Sequence, residues 1–283
     1  MSNGVLLFAN NNPQVDYIKQ SVYCAKRIKQ YLNVDVALAT PDANYLYDAF
    51  PYYNKYIDIV IETEHSNSNQ TRRFRDGKYA EKKLEWNNLG RSDCFDISPF
   101  DKTIVMDTDY LICNNHLQSA FASTHNFMLY KDYYDLGNRK ITGLDMVSDK
   151  SIPMYWATVF YFDKSDLSKM YFDLVKHIRD NWGFYRLMYQ IPNNNFRNDF
   201  AFSIAIHIIN GFQSGSWPVS LPGNMYLTVD YDVLHNSEKN KFKFLIDSNL
   251  NGQYTMASVE DCNIHIMNKF SLSRHIDKEL ANE

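Results

Sequence analysis

The sequence predicts an α/β protein built on a mixed, mostly parallel, Rossmann-like sheet flanked by helices. Three observations lead there. Residues 5–9 are a strand-sized apolar run, closed by the polar loop Asn10, Asn11, Asn12 and Pro13. Residues 14–31 place Val15, Ile18, Val22, Ala25 and Ile28 at helical spacing, with Leu32 following. Residues 34–39 and 57–62 then read as two further strands, the first stopped by Thr40 and Pro41. A strand–helix–strand rhythm of this kind needs crossover connections, which are the signature of parallel pairing.

The remaining elements follow in order. Residues 64–76 are polar and basic and read as a loop, and residues 77–90 as a helix around Tyr79, Leu84 and Trp86. Ser98, Pro99 and Phe100 make a turn before a central strand over 103–106, and Asp107 and Asp109 fall where that strand ends. In the second half, 154–162 reads as a strand and 165–182 as a helix. An Asn-rich loop at 193–198 leads into a helix from about 199 to 210, and 264–267 is a short strand. There is no internal repeat and no clean linker, so the 283 residues are expected to form one domain whose halves, 1–112 and 113–283, share a continuous sheet.

Composition narrows the function. A formal charge of −4 gives no global basic field, so bulk nucleic acid or an anionic membrane held by charge alone is disfavoured. Local basic segments remain at Lys26 to Lys29, Arg72 to Lys83 and Lys239 to Lys243. The four cysteines, Cys24, Cys94, Cys113 and Cys262, are too widely spaced for a zinc knuckle and read as reduced thiols. The first residues lack a signal-peptide pattern, and no stretch reaches the roughly 20 apolar residues of a membrane span. The expectation is a cytoplasmic protein without a membrane partner, in a host cytoplasm if phage-encoded. Nothing in the sequence bears on oligomeric state.

The chemistry centres on Asp107-Thr108-Asp109. Two carboxylates at i and i+2 beyond a buried strand can reach one hard divalent cation, Mn2+ or Mg2+, that leaves positions open for phosphate oxygens. Ligands of α/β sheets bind at the carboxyl ends of strands, which is where this triplet falls. A second triplet, Asp230-Tyr231-Asp232, follows no comparable strand and reads as a surface turn. His265 alone in an apolar strand reads more often as a satisfied core side chain than as a ligand. Asn198 and Asp199, before an apolar helical run, read as an N-cap as readily as site residues. Arg72, Arg73, Arg75 and Lys78 read either as a solvated loop or as clamps on donor oxygens, with Arg75 and Lys78 the choices for the latter.

The run from Ser98 to Asp109 resembles the nucleotide-sugar signature of GT-A glycosyltransferases, including the glycogenin-like retaining enzymes. That resemblance implies a UDP-sugar donor held through Mn2+ or Mg2+ on Asp107 and Asp109, with Thr108 beside the diphosphate. It assigns Ala9, Asn10 and Asn11, in the opening strand and loop, to the nucleotide. His265-Ile266-Met267-Asn268-Lys269 resembles the late His…Lys element, which makes His265 a third metal ligand and Lys269 a diphosphate contact. This element lacks the glycogenin-like Gly, its wider spacing and the following Pro-Trp. Arg197-Asn198-Asp199 resembles the element facing the transferred sugar, with Asp199 or Asn198 stabilising the oxocarbenium-like sugar and retention as the outcome. Were the reaction inverting, Asp145 or Asp199 would serve as base.

For the acceptor, overall character is similar to phage enzymes that glucosylate hydroxymethylcytosine in DNA, including those adding a second, α-linked glucose. Bacterial surface-polysaccharide or protein glycosyltransferases are the competing reading. A nucleotidyltransferase would also use a strand-end acid pair, though Asn10 to Pro13 is no Gly-rich phosphate loop. A non-catalytic sugar-binding protein would not need Asp107 and Asp109 together with His265.

Overall fold

The computed structural model describes residues 2–65, 70–86, 89–140, 142–149 and 151–280. Its strands are β1 (Asn3–Phe8), β2 (Asp35–Thr40), β3 (Ile59–Glu62), β4 (Thr71–Arg75), β5 (Glu81–Glu85), β6 (Lys102–Met106), β7 (Tyr110–Leu111), β8 (Phe127–Tyr130), β9 (Tyr134–Asp135), β10 (Trp156–Asp163), β11 (Tyr226–Thr228), β12 (Val233–Glu238), β13 (Lys241–Asp247), β14 (Tyr254–Glu260) and β15 (Ile264–Ile266). The helices are α1 (Tyr17–Tyr31), α2 (Ala43–Ala49), α3 (Cys94–Ile97), α4 (Thr142–Asp145), α5 (Asp166–Asp180), α6 (Trp182–Met188), α7 (Asn198–Ile209) and α8 (Lys269–Leu280).

Six strands form the main sheet in the order β3-β2-β1-β6-β10-β8. The β3-β2, β2-β1 and β1-β6 pairs are parallel, and only β10 runs against its neighbours. This is the mostly parallel, helix-flanked sheet that the sequence predicts. Apart from the edge strand β3, the strands are buried on both faces, which is why they read as unbroken apolar runs rather than as alternation. Gly4 has a packing reason: a Cβ there would stand 2.4 Å from the ring of Phe100, which covers β1. Helix α1 packs on β1 and β2, and α7 packs on β10 and α5. Asp16 caps α1 by accepting the Lys19 N–H at 2.8 Å.

The second half corrects the expected continuous sheet. It contributes β8 and β10 to the main sheet, but its C-terminal strands build two others, β7-β15-β11-β9 and β12-β13-β14. The helix expected over 77–90 is also absent. Residues 71–85 form the antiparallel hairpin β4-β5, in which Phe74 and Leu84 are buried while their charged neighbours face outward. Lys and Glu favour helices locally, yet burial of a period-two apolar face against Val15 decides the outcome. The turn carries Asp76 and Gly77, and Gly77 has φ +75°, a conformation that suits glycine. Residues 87 and 88 of the expected helix lie outside the described residues.

Asp230-Tyr231-Asp232 is a turn, but not a surface one. Asp232 is buried and shares Arg139 with Asp135, through contacts of 2.6 and 2.5 Å. Arg139 also donates to the Asp247 carbonyl, tying β9 to the third sheet. Removing one partner of a buried ion group strands the others, at about 3–5 kcal/mol. Arg139→Ala should lower the unfolding free energy by about that amount in urea titration, whereas a surface variant such as Lys169→Ala should change it by less than about 1 kcal/mol.

His275 on α8 supplies a pH dependence. It is buried between the hydroxyls of Tyr23 and Ser237, at 3.2 and 3.3 Å. Burial, then the charges of Arg27 and Lys278, pull it down to about 4. Its folded pKa lies below its unfolded one, so the stability it contributes is present above about pH 6.5 and is lost as pH falls towards 4. Between pH 7 and pH 5 this one group should cost about 2 kcal/mol. Urea midpoints at both pH values, for wild type and His275→Gln, check it: the variant should show the smaller drop.

Candidate active site

At the carboxyl edge of the main sheet, beyond β1, β2 and β6, lies a cavity of about 500 Å3. Because β10 is antiparallel, its first residues arrive at this same edge. Asp107 continues β6 and donates its backbone N–H to the Thr158 carbonyl at 2.8 Å. Directly after Asp109 the chain enters β7, which pairs antiparallel with β15, opposing Tyr110 to His265. Ile266 N–H donates to the Asp109 carbonyl at 3.0 Å. The late strand is thereby fixed beside the acid pair, across 156 residues of sequence.

Asp107, Asp109 and His265 each offer a ligand atom, and these atoms all lie within 4.8 Å of one another. His265 Nε2 faces Asp109 Oδ2 at 3.1 Å, and its Nδ1 faces the Thr158 hydroxyl at 3.4 Å. Burial, reinforced by Arg72 and Arg91 against the opposing charge of Asp199, pulls His265 down to about 3. The ring is therefore neutral. With a proton on Nδ1 towards Thr158, Nε2 presents a lone pair. Two carboxylate oxygens and an imidazole nitrogen suit Mn2+ or Mg2+. Without a metal, cations of the chain neutralise the acids: Arg91 pairs with Asp107, and Lys269 with Asp109.

Lys269 opens α8, is partly buried and lines the cavity. Burial and the nearby Arg72 and Arg91 hold it well below the usual lysine range. Arg91 stands in the 3-10 turn Leu89–Asp93 and is lowered to about 10 by burial. Its guanidinium donates to the Ala157 carbonyl at 3.0 Å as well as to Asp107. The turn is anchored from α5, where Arg179 grips both oxygens of Asp93 at 2.9 and 2.8 Å.

Asn198 and Asp199 begin α7 and line the cavity. The capping position belongs to Arg197, which makes no side-chain cap bond. Asp199 instead accepts the Ala157 N–H at 2.9 Å and Arg197 at 2.9 Å. Burial alone would raise Asp199, but Arg197, the Ala157 N–H and Arg91 outweigh it and keep the carboxyl below its ordinary value. It is thus an anion facing the cavity.

The other expected residues divide. Ala9, Asn10 and Thr108 line the cavity. Asn11 does not, and instead receives the Ile18 N–H at 3.0 Å while donating its own N–H to Asp42 at 2.7 Å. Arg75 pairs with Glu81 and lies over Tyr231, and Lys78 donates to the Leu250 carbonyl at 2.7 Å, so both are outside the lining. Asp145 accepts from the Tyr133 hydroxyl at 2.8 Å, and its neighbour Leu144 is the one on the cavity wall. Arg91, Trp156 and Tyr17 line the cavity without having been anticipated, and of the basic hairpin residues Arg72 lines it where Arg75 does not. Arg91 had no pattern to reveal it, whereas the alternation Arg72, Phe74 along β4 marks an inward face.

No protein-family profile matches the sequence, and no curated protein sequence matches it. Among solved structures the chain is similar to the glycosyltransferase GlyE of Streptococcus pneumoniae TIGR4, at 12% identity and a TM-score of 0.40, over 74% of this chain and 43% of that one. It is similar to the galactosyltransferase LgtC in complex with donor and acceptor sugar analogues, at 12% identity and a TM-score of 0.43, over 70% and 68% of the two chains. A third is TarS of S. aureus, at 13% identity and a TM-score of 0.38, over 72% and 33%. The chain thus spans less than half the length of GlyE and of TarS.

Proposed function

We propose that the protein is a metal-dependent glycosyltransferase of the GT-A type, moving a sugar from a UDP-sugar to an acceptor hydroxyl with retention of configuration. The observation that carries this reading is the convergence of Asp107, Asp109 and His265 at the carboxyl edge of the sheet, backed by Lys269 and Arg91. The half of the chain up to residue 112 then serves the donor, and residues 113–283 serve the acceptor and close the diphosphate site.

Asp107, Asp109 and His265 would hold Mn2+ or Mg2+, which supplies Lewis-acid stabilisation of the leaving diphosphate. Arg91 and Lys269 are released from their carboxylates when that charge is met otherwise, and can donate to phosphate oxygens as negative charge grows on the leaving group. Ala9 and Asn10, at the end of β1, flank the space for the base and ribose. Asp199, held by Arg197 and lining the cavity, would supply the anion that an oxocarbenium-like sugar needs, and Asn198 beside it would offer an amide.

A carbohydrate hydroxyl is the acceptor this arrangement favours over modified DNA. Several cations of the basic segments are engaged within the chain. Arg27 is buried, Lys29 pairs with Asp58, Arg73 and Arg75 with Glu81, and Lys241 with Glu260. Phosphate-backbone binding needs such charges free and aligned. Among the described residues no helix is long and apolar enough to cross a membrane.

Two measurements test the reading. By calorimetry, UDP should bind wild type at least about tenfold more tightly with Mn2+ than without it, and Asp109→Asn should remove that gain while thermal melting reports an intact fold. Equal affinities with and without the metal would overturn the metal role. Product NMR should show an α-linked sugar from an α-linked UDP donor; a β-linked product would overturn retention. Offering simple glycosides beside hydroxymethylcytosine DNA decides the acceptor class, and label in the DNA alone would reverse the choice made above.

A further inference from the structure

The charges lining the cavity do not all cancel within the chain. Arg91 is matched by Asp107, Lys269 by Asp109 and Arg197 by Asp199. Arg72, on the hairpin strand β4, has no such partner. Its guanidinium lies over the rings of Phe74 and Trp86, at 5.6 and 5.4 Å, and the residue lines the cavity. Among the described residues it makes no ion pair or hydrogen bond. Asp230 and Asp199 act on it only from a distance, and Glu64 and Glu85 line the cavity from exposed positions without pairing with it.

Arg72 also faces a second guanidinium. Arg197 lines the same cavity, and after burial its charge is the largest influence lowering Arg72. Arg197 itself is held by Asp199 through one nitrogen and lies over Phe200 at 4.8 Å, which leaves further donors for a ligand. The two forks come from different elements, β4 and the turn before α7. The hairpin is braced against that turn by Asn195, whose amide donates to the Thr71 carbonyl at 2.8 Å. Two guanidinium groups held near each other in a cavity, one of them without a counter-charge, are poised for an anion that accepts from both.

The geometry points to a second anion subsite, formed by Arg72 and Arg197 apart from the acid triad, that binds a carboxylate or phosphate monoester group of the substrate. This rests on the glycosyltransferase reading for the identity of the substrate, though not for the existence of the subsite. The anion can sit on the transferred sugar, as in a uronic acid, or on the acceptor, as in a sugar phosphate. The aromatic rings behind Arg72 fix its plane, so a bidentate oxygen pair fits better than a point charge.

The test compares matched ligands. With Mn2+ present, UDP-glucuronic acid is titrated against UDP-glucose. Separately, glucose 6-phosphate is titrated against glucose into protein saturated with UDP and Mn2+. The anionic member of one pair should bind about tenfold or more tightly in wild type, as expected for a charge-assisted hydrogen bond. Arg72→Gln should erase that preference while leaving UDP affinity within about twofold. The pair that discriminates identifies which substrate carries the anion. Absence of preference in both pairs, or a preference that survives Arg72→Gln, overturns the proposal. Should UDP itself fail to bind wild type, the donor reading falls. Inorganic phosphate titrated into metal-free protein, read through the fluorescence of Trp86, still decides the subsite. A response in wild type that is missing in Arg72→Gln supports it, and any other pattern overturns it.

Discussion

A carboxylate buried as deeply as Asp109, 2% exposed, must be compensated or it will not remain charged. That requirement organises the site end of this molecule. Compensation comes from Lys269, with His265 Nε2 set against the same carboxylate, and both are contributed by the last strand and helix. For them to arrive, β15 must pair with the two-residue strand β7, and α8 must turn back onto α1. The β12-β13-β14 sheet packs behind α8 and holds it there. Removing the charge requirement at Asp109 would leave this C-terminal assembly with an apolar reason to pack, through Ile264, Ile266, Leu272 and Ile276, but with no reason to present Lys269 inward.

The same constraint acts on the cations. Arg91 is lowered by burial, and Lys269 and His265 are shifted towards their neutral forms by burial together with the charges of Arg72 and Arg91. Such a cluster is costly in isolation, and sites that bind multiply charged ligands commonly carry that cost. The anchoring of Arg91 is correspondingly firm. Arg179 holds Asp93 with both carboxylate oxygens, and the Ala157 carbonyl fixes the guanidinium from the β10 side. Ala157 serves twice, since its N–H also orients Asp199. One residue at the start of β10 therefore holds both an arginine and a carboxylate from two other elements.

Much of this was legible from residue order. Buried parallel strands announce themselves as apolar runs, so β1, β2 and β6 could be read directly, and with them the edge where Asp107 and Asp109 emerge. His265 had no local signal of its own and was singled out only through resemblance to a longer motif. What could not be read depended on partners far along the chain. Asp232 looked exposed because nothing nearby indicates Arg139, 93 residues away. The β4-β5 hairpin was hidden by helix-favouring Lys and Glu, and its inward residues are defined only by the surface they cover. Asp199 was ambiguous between cap and site for the same reason: the Ala157 N–H that claims it belongs to a strand 42 residues earlier.

The separation between Asp109 and His265 has a kinetic meaning. Closing a loop of about 150 residues is entropically expensive compared with a helix or a hairpin, and contacts of such span form late. The main sheet can be drawn from residues 3–163, all of which precede β15 in the chain. A chain emerging from the ribosome can therefore acquire its scaffold while the acid pair still faces water. The cluster of Asp107, Asp109 and His265 is assembled only once β15 has paired with β7, so its third ligand atom arrives after the sheet that carries the acid pair.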